Sequence, residues 1–382
     1  MKRLLPLVLL VHCAPGRAWG EGQTSNDERR RGPRLVLVSL DGASAPVIDA
    51  AVRRGVMPNL ARLRAEGAVS VSGALTSLPV KTAAGHATLF TGAWCDRNGI
   101  AGNEVPVPRA SVLTSVSGFT SEMLRAEPLW VTAARQGLDV TVVSATQAWP
   151  SAPFLAERRF GGDYGPHLSL LDGYQSRRTP SVALTAKDVR LEPAAGWRGT
   201  LPAHRGPMKD FGFTVSGARV EVLLYDDPAD PVEGFDTAYL ATSKAAGNGV
   251  VLKPVRPAAS AAAFRGLTLH TEDGPLGLHF RLFSLSPDGA DLLLYASDGS
   301  IVRSNRPQLA SAAVEATGGF VGNGADDLYK DGALGPPVWK GGDGTAEARY
   351  LETAFLVERQ FRRLMDFGLD ATKWDVLIGY LP

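Results

Sequence analysis

Asp41 stands where the apolar run Arg34-Leu-Val-Leu-Val-Ser-Leu40 stops, and Asp41-Gly42 ends that run. Further along, Leu78-Pro-Val-Lys-Thr-Ala-Ala-Gly-His-Ala-Thr-Leu-Phe-Thr-Gly92 offers a hydroxyl, Thr82, just before a small-residue helix start. A carboxylate at a strand's end and a hydroxyl at a helix's start can meet at one edge of a parallel sheet, where α/β proteins place their ligands. The pairing points to a metal-assisted nucleophile. Phosphate-ester hydrolysis is the demanding use of such a pair, because it needs up to ~10²¹-fold acceleration. Two close metal ions can deprotonate and orient the nucleophile and polarise the leaving oxygen. A Thr hydroxyl can then form a covalent phospho-enzyme. A helix that begins at that hydroxyl turns backbone N–H groups toward the anion. Taken singly, an Asp at a strand's end is a loop cap and a Thr at a helix's start is an N-cap. The combination carries the reading.

These groups need a scaffold, and residues 34–146 read as βαβ material. Residues 47–54 form a short helix. Pro58-Asn-Leu-Ala-Arg-Leu-Arg-Ala-Glu-Gly67 is a clearer one, with Pro near its start and Gly at its end. Residues 68–75 read as a strand, 82–91 as a helix closed by Gly92, 129–137 as a helix with a Gly stop, and 139–145 as a buried strand. Between residues 191 and 304 the pattern changes to short strands separated by turn residues. Examples are 219–225, 249–253, 276–283 and 291–296, and the spacing suggests an antiparallel β insertion. Residues 258–263 read as loop or a short turn. A helix returns at 345–367, with Tyr350, Leu351, Ala354, Phe355, Val357, Phe361 and Leu364 spaced as one apolar face. Residues 374–381 read as a last buried strand.

The chain has 382 residues, 45% of them apolar and 21% charged, which suits a packed core. The formal net charge is +1, so no nucleic-acid polymer is expected as a partner. Lys2-Arg3, the apolar residues 4–11 and Ala18-Trp-Gly20 read as a secretory leader over residues 1–20, which places the chain outside the cytoplasm, secreted or periplasmic. No stretch is long and apolar enough for stable membrane insertion. Residues 21–33, with Asp27-Glu-Arg-Arg-Arg31, read as a solvated linker. Beyond the leader, Cys95 has no second cysteine to pair with. The division reads as residues 34–190 for the start of an α/β domain, 191–304 for the insertion, and 305–382 for the return to an incomplete α/β domain.

Leu37-Val-Ser-Leu-Asp-Gly42, Met57-Pro-Asn-Leu60, Thr82-Ala-Ala-Gly-His-Ala-Thr88, Thr91-Gly92 and Gly99-Ile-Ala-Gly-Asn103 resemble the type I phosphodiesterase/nucleotide pyrophosphatase branch of the alkaline phosphatase superfamily. The likeness covers residues 34–155 and the last part of the chain, and the Thr82 segment is its specific element. It implies an α/β fold with a mostly parallel sheet flanked by helices. It implies that Asp41 and Thr82 ligate metal, that Thr82 accepts the phosphoryl group and that Asn103 contacts a phosphate oxygen. The cofactors it implies are two divalent ions, Zn²⁺ by resemblance, and the substrate is a small phosphorylated molecule. His86 matches a structural position behind the nucleophile. Gly85 stands where nucleotide pyrophosphatases carry Asn, which weakens a nucleotide-specific reading.

The family completes its metal sites with Asp-x-x-x-His after the last strand found here, then Asp-His, then a final His, and this sequence contains none of these. Asp163-Tyr-Gly-Pro-His167 has the ligand spacing, but it follows the wrong strand and its Gly and Pro oppose a helical turn. The sequence therefore reads as part of a longer hydrolase or as a degenerate member that binds a phosphorylated ligand without turnover; otherwise unrelated residues complete the site. A sulfatase reading lacks its Cys-x-Pro-type motif, and a serine hydrolase lacks its Gly-x-Ser-x-Gly elbow. A secreted binding protein that uses the β insertion is the rival from another class.

Overall fold

The computed structural model describes residues 7–13, 34–70, 73–74, 76–111, 113–174, 178–215, 217–231, 233–245 and 247–382. The linker 21–33 and most of the leader lie outside the described residues. The molecule divides into two units. One comprises Met1–Gln175, Arg303–Arg306 and Met365–Pro382, and the other Ser176–Val302 and Pro307–Leu364.

The first unit is built on a six-stranded sheet. Its strands in chain order are β1 (Leu7–Cys13), β2 (Arg34–Leu40), β3 (Val140–Val143), β4 (Leu168–Asp172), β5 (Arg303–Ser304) and β6 (Val376–Leu381). The spatial order is β1-β2-β6-β3-β4-β5. The pairs β2–β6, β6–β3 and β3–β4 are parallel, and the edge strands β1 and β5 run antiparallel to their neighbours. This is the α/β class with a mostly parallel sheet. Leu7–Cys13, from the segment read as a leader, lies beside β2 in the register Leu7↔Leu40 to Cys13↔Arg34.

Helices α1 (Ala45–Arg53), α2 (Pro58–Glu66), α3 (Thr82–Thr91) and α4 (Leu129–Arg135) follow the expected order, and α5 (Thr345–Ala371) comes late in the chain. The parallel strands alternate their faces, as the two-residue period of a strand requires. Leu37, Val140, Val142, Leu168, Leu170 and Ile378 share a core with Ala83, Ala87 and Phe90 of α3 and Trp130 and Val131 of α4. The opposite face meets the end of α5. A side chain at Gly379 of β6 would collide with Met365, and one at Gly368 would press on Val143. The Thr141 and Thr372 hydroxyls hydrogen-bond at 2.6 Å. The sheet is thus covered on both faces, as a parallel sheet requires. Phe90 packs edge-on against the wholly buried Trp130 with centroids 5.4 Å apart. Truncating either aromatic to Ala costs about 3–5 kcal/mol on general grounds.

One sequence-based element is corrected. Among the described residues of 68–75, none lies in a strand. Val69 and Val71 alternate with polar residues in the sequence, but among the described residues no strand pairs with this segment.

The second unit is mainly antiparallel. One sheet runs in the order Val250–Leu252, Thr237–Ala241, Ala218–Asp226, Arg205–Val215, Glu192–Pro193. Another runs Arg265–Thr271, Gly274–Leu285, Leu292–Ala296, Val182–Thr185. Val220, Val222 and Leu224 of the first sheet join Leu278, Phe280, Leu282 and Leu294 of the second in one core. Pro307–Thr317 and Ala325–Asp331 are helices of this unit.

Candidate functional site

β2 ends at Leu40, so Asp41 stands at the carboxyl edge of the parallel strands, the rim where such sheets bind ligands. Its Oδ1 accepts from the Gly42 N–H at 2.9 Å. Its Oδ2 accepts from the Tyr380 hydroxyl at 2.9 Å. Tyr380 lies on β6, beside β2, in register with Ser39. Burial, then the neighbouring Tyr174 and Asp41, push the Tyr380 phenol far above its ordinary pKa, so it keeps its proton and donates.

Thr82 is the first residue of α3, and it is half-buried. The helix starts after an extended Lys81 that makes no side-chain cap, and it ends at Gly92 in the left-handed region at φ 65°. The residues after Thr82 are Ala83, Ala84 and Gly85, all buried, which lets the helix start lie close against the sheet. A side chain at Gly85 would press on the Thr76 hydroxyl.

His86 joins the two edges. Its Nδ1 lies 2.8 Å from the Thr82 carbonyl, and its Nε2 lies 2.8 Å from the Ser39 hydroxyl. A carbonyl only accepts, so Nδ1 carries the hydrogen. Burial lowers the imidazole pKa, against the Thr82 bond and the Asp41 charge that raise it. The ring is neutral at pH 7, and Nε2 accepts from Ser39. Its centroid is 5.1 Å from that of Tyr380. One connected set therefore runs Asp41–Tyr380–His86–Thr82. The two residues singled out in the sequence share one rim and one network.

Asn103 closes the set. Its Oδ1 accepts from the Ala83 N–H at 3.1 Å. That bond fixes which end of the amide faces the helix. Among the described residues, its NH₂ group has no protein partner, so two donors remain beside the start of α3. Gly118 N–H binds the Asn103 carbonyl at 2.7 Å, and a side chain at Gly118 would collide with the Gly102 carbonyl.

Sequence reasoning missed Gln147. It is fully buried, and its backbone takes φ 61°, an uncommon conformation for a residue with a side chain. Its Nε2 donates to the carbonyls of Ala83 at 3.2 Å and Gly118 at 2.6 Å. Thr146 donates to its Oε1 at 2.7 Å. Gln147 so ties the start of α3 to the loop that carries Asn103. The available cue was its place just beyond the 139–145 run, the same strand-end logic that picks out Asp41.

The donor set does not make a two-metal centre. Among the described residues, no group of three or more His, Cys, Asp or Glu side chains could hold a metal ion. Both Asp41 oxygens already accept protein hydrogen bonds. His167 pairs with Asp139 at 2.8 Å, so Asp163-x-x-x-His167 is a structural turn rather than a ligand pair.

Residues 35–190 match the type I phosphodiesterase / nucleotide pyrophosphatase family. The chain is 31% identical over 123 residues to human ectonucleotide pyrophosphatase/phosphodiesterase family member 1, a match that takes in 31% of this chain and 12% of that protein. The chain thus spans about an eighth of the length of this curated relative. No solved structure matches. The family match covers Asp41, Thr82, His86, Asn103 and Gln147. Tyr380, which completes the network, lies outside it.

Proposed function

We infer that the first unit is the phosphoryl-handling part of a phosphoester hydrolase, with Thr82 as the phosphoryl acceptor. The observation that carries this reading is the Asn103 bond to Ala83 N–H, which leaves the amide's NH₂ unpaired at the start of α3, the helix that Thr82 opens. A phosphate at that helix start meets backbone N–H groups and the positive end of the helix dipole. On this reading the Thr82 hydroxyl gives its proton to solvent and forms the Oγ–P bond as the ester P–O bond breaks, the leaving oxygen takes up a proton, and water then cleaves the Oγ–P bond to free phosphate and restore the hydroxyl. Neutral His86 holds the Thr82 carbonyl, so its role is orientation rather than proton removal. The substrate class is a small phosphorylated molecule: a monoester, a diester or a pyrophosphate.

Proteins of this family generally depend on divalent metals. Asp41 and Thr82 are the oxygen donors this chain offers, and zinc is the ion that the resemblance suggests. The described residues do not complete such a site, so no step is routed through one. That shortfall favours a second reading, in which the chain binds a phosphorylated ligand without turning it over. The apolar residues 4–11 behind Lys2-Arg3 support secretion or periplasmic export as the destination.

One experiment separates the readings. Wild type and Thr82→Ala are assayed for hydrolysis of a phosphodiester and a phosphomonoester, with ligand binding measured in parallel. The hydrolase reading expects turnover in wild type and its loss by at least about a thousandfold in Thr82→Ala, while binding persists. Turnover that survives the substitution removes Thr82 from the chemistry. Binding without turnover in wild type establishes the second reading.

A further inference from the structure

A cavity of about 290 Å³ lies in the first unit, lined by Phe154, Leu155, Arg158, Asp163, Tyr164 and Arg306, among others. Residues 163–165 lead directly into β4, which begins at Leu168. The neighbouring β3 begins at Val140, and Asp139 just before it pairs with His167. The cavity therefore sits at the amino ends of the parallel strands. Asp41 and Gln147 mark the carboxyl ends. The two places are separated by the length of the sheet, so the cavity is not an extension of the Thr82 site.

Its polar lining is not consumed by the fold. Among the described residues, neither Arg158 nor Asp163 has a hydrogen-bonded or ion-paired partner, although both border the cavity. Arg306 donates one Nη2 bond to the Pro166 carbonyl at 2.7 Å and keeps its remaining N–H groups. Arg158 is held in the left-handed region at φ 47°, and Gly161 and Gly162 follow at φ 71° and 84°. The floor is rigid. Phe154 and Tyr164 are buried, and the Tyr164 hydroxyl is spent on the Phe154 carbonyl at 2.7 Å. Asn305 is spent on the Leu168 carbonyl and the Leu170 N–H, which anchors the segment that carries Arg306 to β4.

The chemistry selects the occupant. Two guanidinium groups match a phosphate, with which arginine forms paired, charge-assisted hydrogen bonds. Asp163 borders the same cavity and, like the two arginines, is exposed, so its carboxylate can accept from a ligand that carries hydroxyl donors beside its phosphate. The volume, at the small end for a ligand pocket, admits a molecule of about one ring. We propose that this cavity is a second ligand site for a small sugar phosphate, with Arg158 and Arg306 taking the phosphate and Asp163 accepting from the sugar hydroxyls. The site stands independently of the Thr82 reading, because none of its residues belongs to that network.

The test is an NMR titration of the full chain with ribose 5-phosphate, inorganic phosphate and ribose. It is run in Thr82→Ala so that turnover cannot consume the probe. The expected result is a saturable shift of the Gly161, Gly162 and Gly165 amides, with ribose 5-phosphate binding more tightly than phosphate or ribose. Arg158→Ala with Arg306→Ala weakens that binding about tenfold or more. Asp163→Asn gives an independent arm: it weakens ribose 5-phosphate and strengthens inorganic phosphate, since one hydroxyl acceptor and one repulsive charge are lost together. Four outcomes overturn the proposal: no saturable binding, shifts confined to Ala83 and Ala84, an unchanged affinity in the double arginine variant, or phosphate that binds as tightly as the sugar phosphate.

Discussion

Gln147 makes the sharpest residue-scale argument, because it braces the start of α3 without touching the proposed phosphate position. Its amide bridges Ala83 and Gly118, and Gly118 in turn binds Asn103. Gln147→Leu keeps the volume and removes both donors. The Gly118 carbonyl then loses a buried partner, which costs about 1–3 kcal/mol of stability. If the bridge sets the position of Asn103, kcat for ester hydrolysis falls about tenfold or more while KM changes little. A variant that loses stability yet keeps kcat per folded molecule would confine Gln147 to a structural role. Urea unfolding and steady-state kinetics on the same preparation decide it. Asp41 and Thr82 were legible as candidates because each ends or begins an element that the sequence marks strongly, whereas Asn103 came from the family resemblance alone. Tyr380 and Gln147 were not, because a phenol and an amide at strand ends resemble ordinary core and loop residues until the neighbouring strand is known.

At the scale of elements, legibility followed the sharpness of the local punctuation. α3 and β2 have the bounds that the sequence predicts, since Gly92 closes one and Asp41-Gly42 ends the other. The long helix α5 extends to Ala371, and its buried face keeps Val357, Phe361 and Leu364 of the predicted one but not the rest. Leu351 and Phe355 are exposed at 56% and 38%, whereas Glu352, Thr353, Leu356 and Gln360 are buried. Periodicity alone could not find that face, because polar residues occupy it. Glu352 is answered by Arg281 at 3.1 Å, and Gln360 by the carbonyls of Thr317 and Gly319. The Arg205–Val215 strand was hidden for a related reason. Its Asp210 is buried between Trp197 and Lys244, which breaks the apolar alternation. The Arg281–Glu352 pair makes a firm prediction for the second unit. Both side chains are almost wholly buried, and the Arg281 guanidinium also binds the carbonyls of Leu282 and Val255. Glu352→Ala leaves a buried cation without its counter-charge and lowers unfolding stability by about 3–5 kcal/mol. Replacing both partners with apolar residues costs less than the single change, and chemical denaturation of the three variants checks the order.

For the whole molecule, 40 basic and 39 acidic residues cancel, so net charge exerts little pull on stability near neutral pH. The pH dependence must then come from individual buried groups. His279 is the clearest. It lies on the Gly274–Leu285 strand, 2% exposed. Burial first, then the charges of Arg359 and Arg363, depress its pKa from 6.5 to about 3. The unfolded chain takes up a proton here below pH 6.5, and the folded chain does so only near pH 3. Stability is therefore complete above pH 6.5 and falls as the pH drops toward 3. The slope approaches about 1.4 kcal/mol per unit, or about 2 kcal/mol by pH 5. Asp188, Asp227 and Asp288 also favour the folded state in their charged forms, but they are carboxylates with depressed pKa values, and their loss belongs near pH 4 and below. The two windows separate. Urea midpoints between pH 7.5 and 5 should fall in wild type and fall clearly less in His279→Leu, where the lowered pKa of His86 still contributes a slope. Parallel slopes in the two proteins would mean that His279 titrates alike in both states, and the burial argument would then fail for the second unit's core.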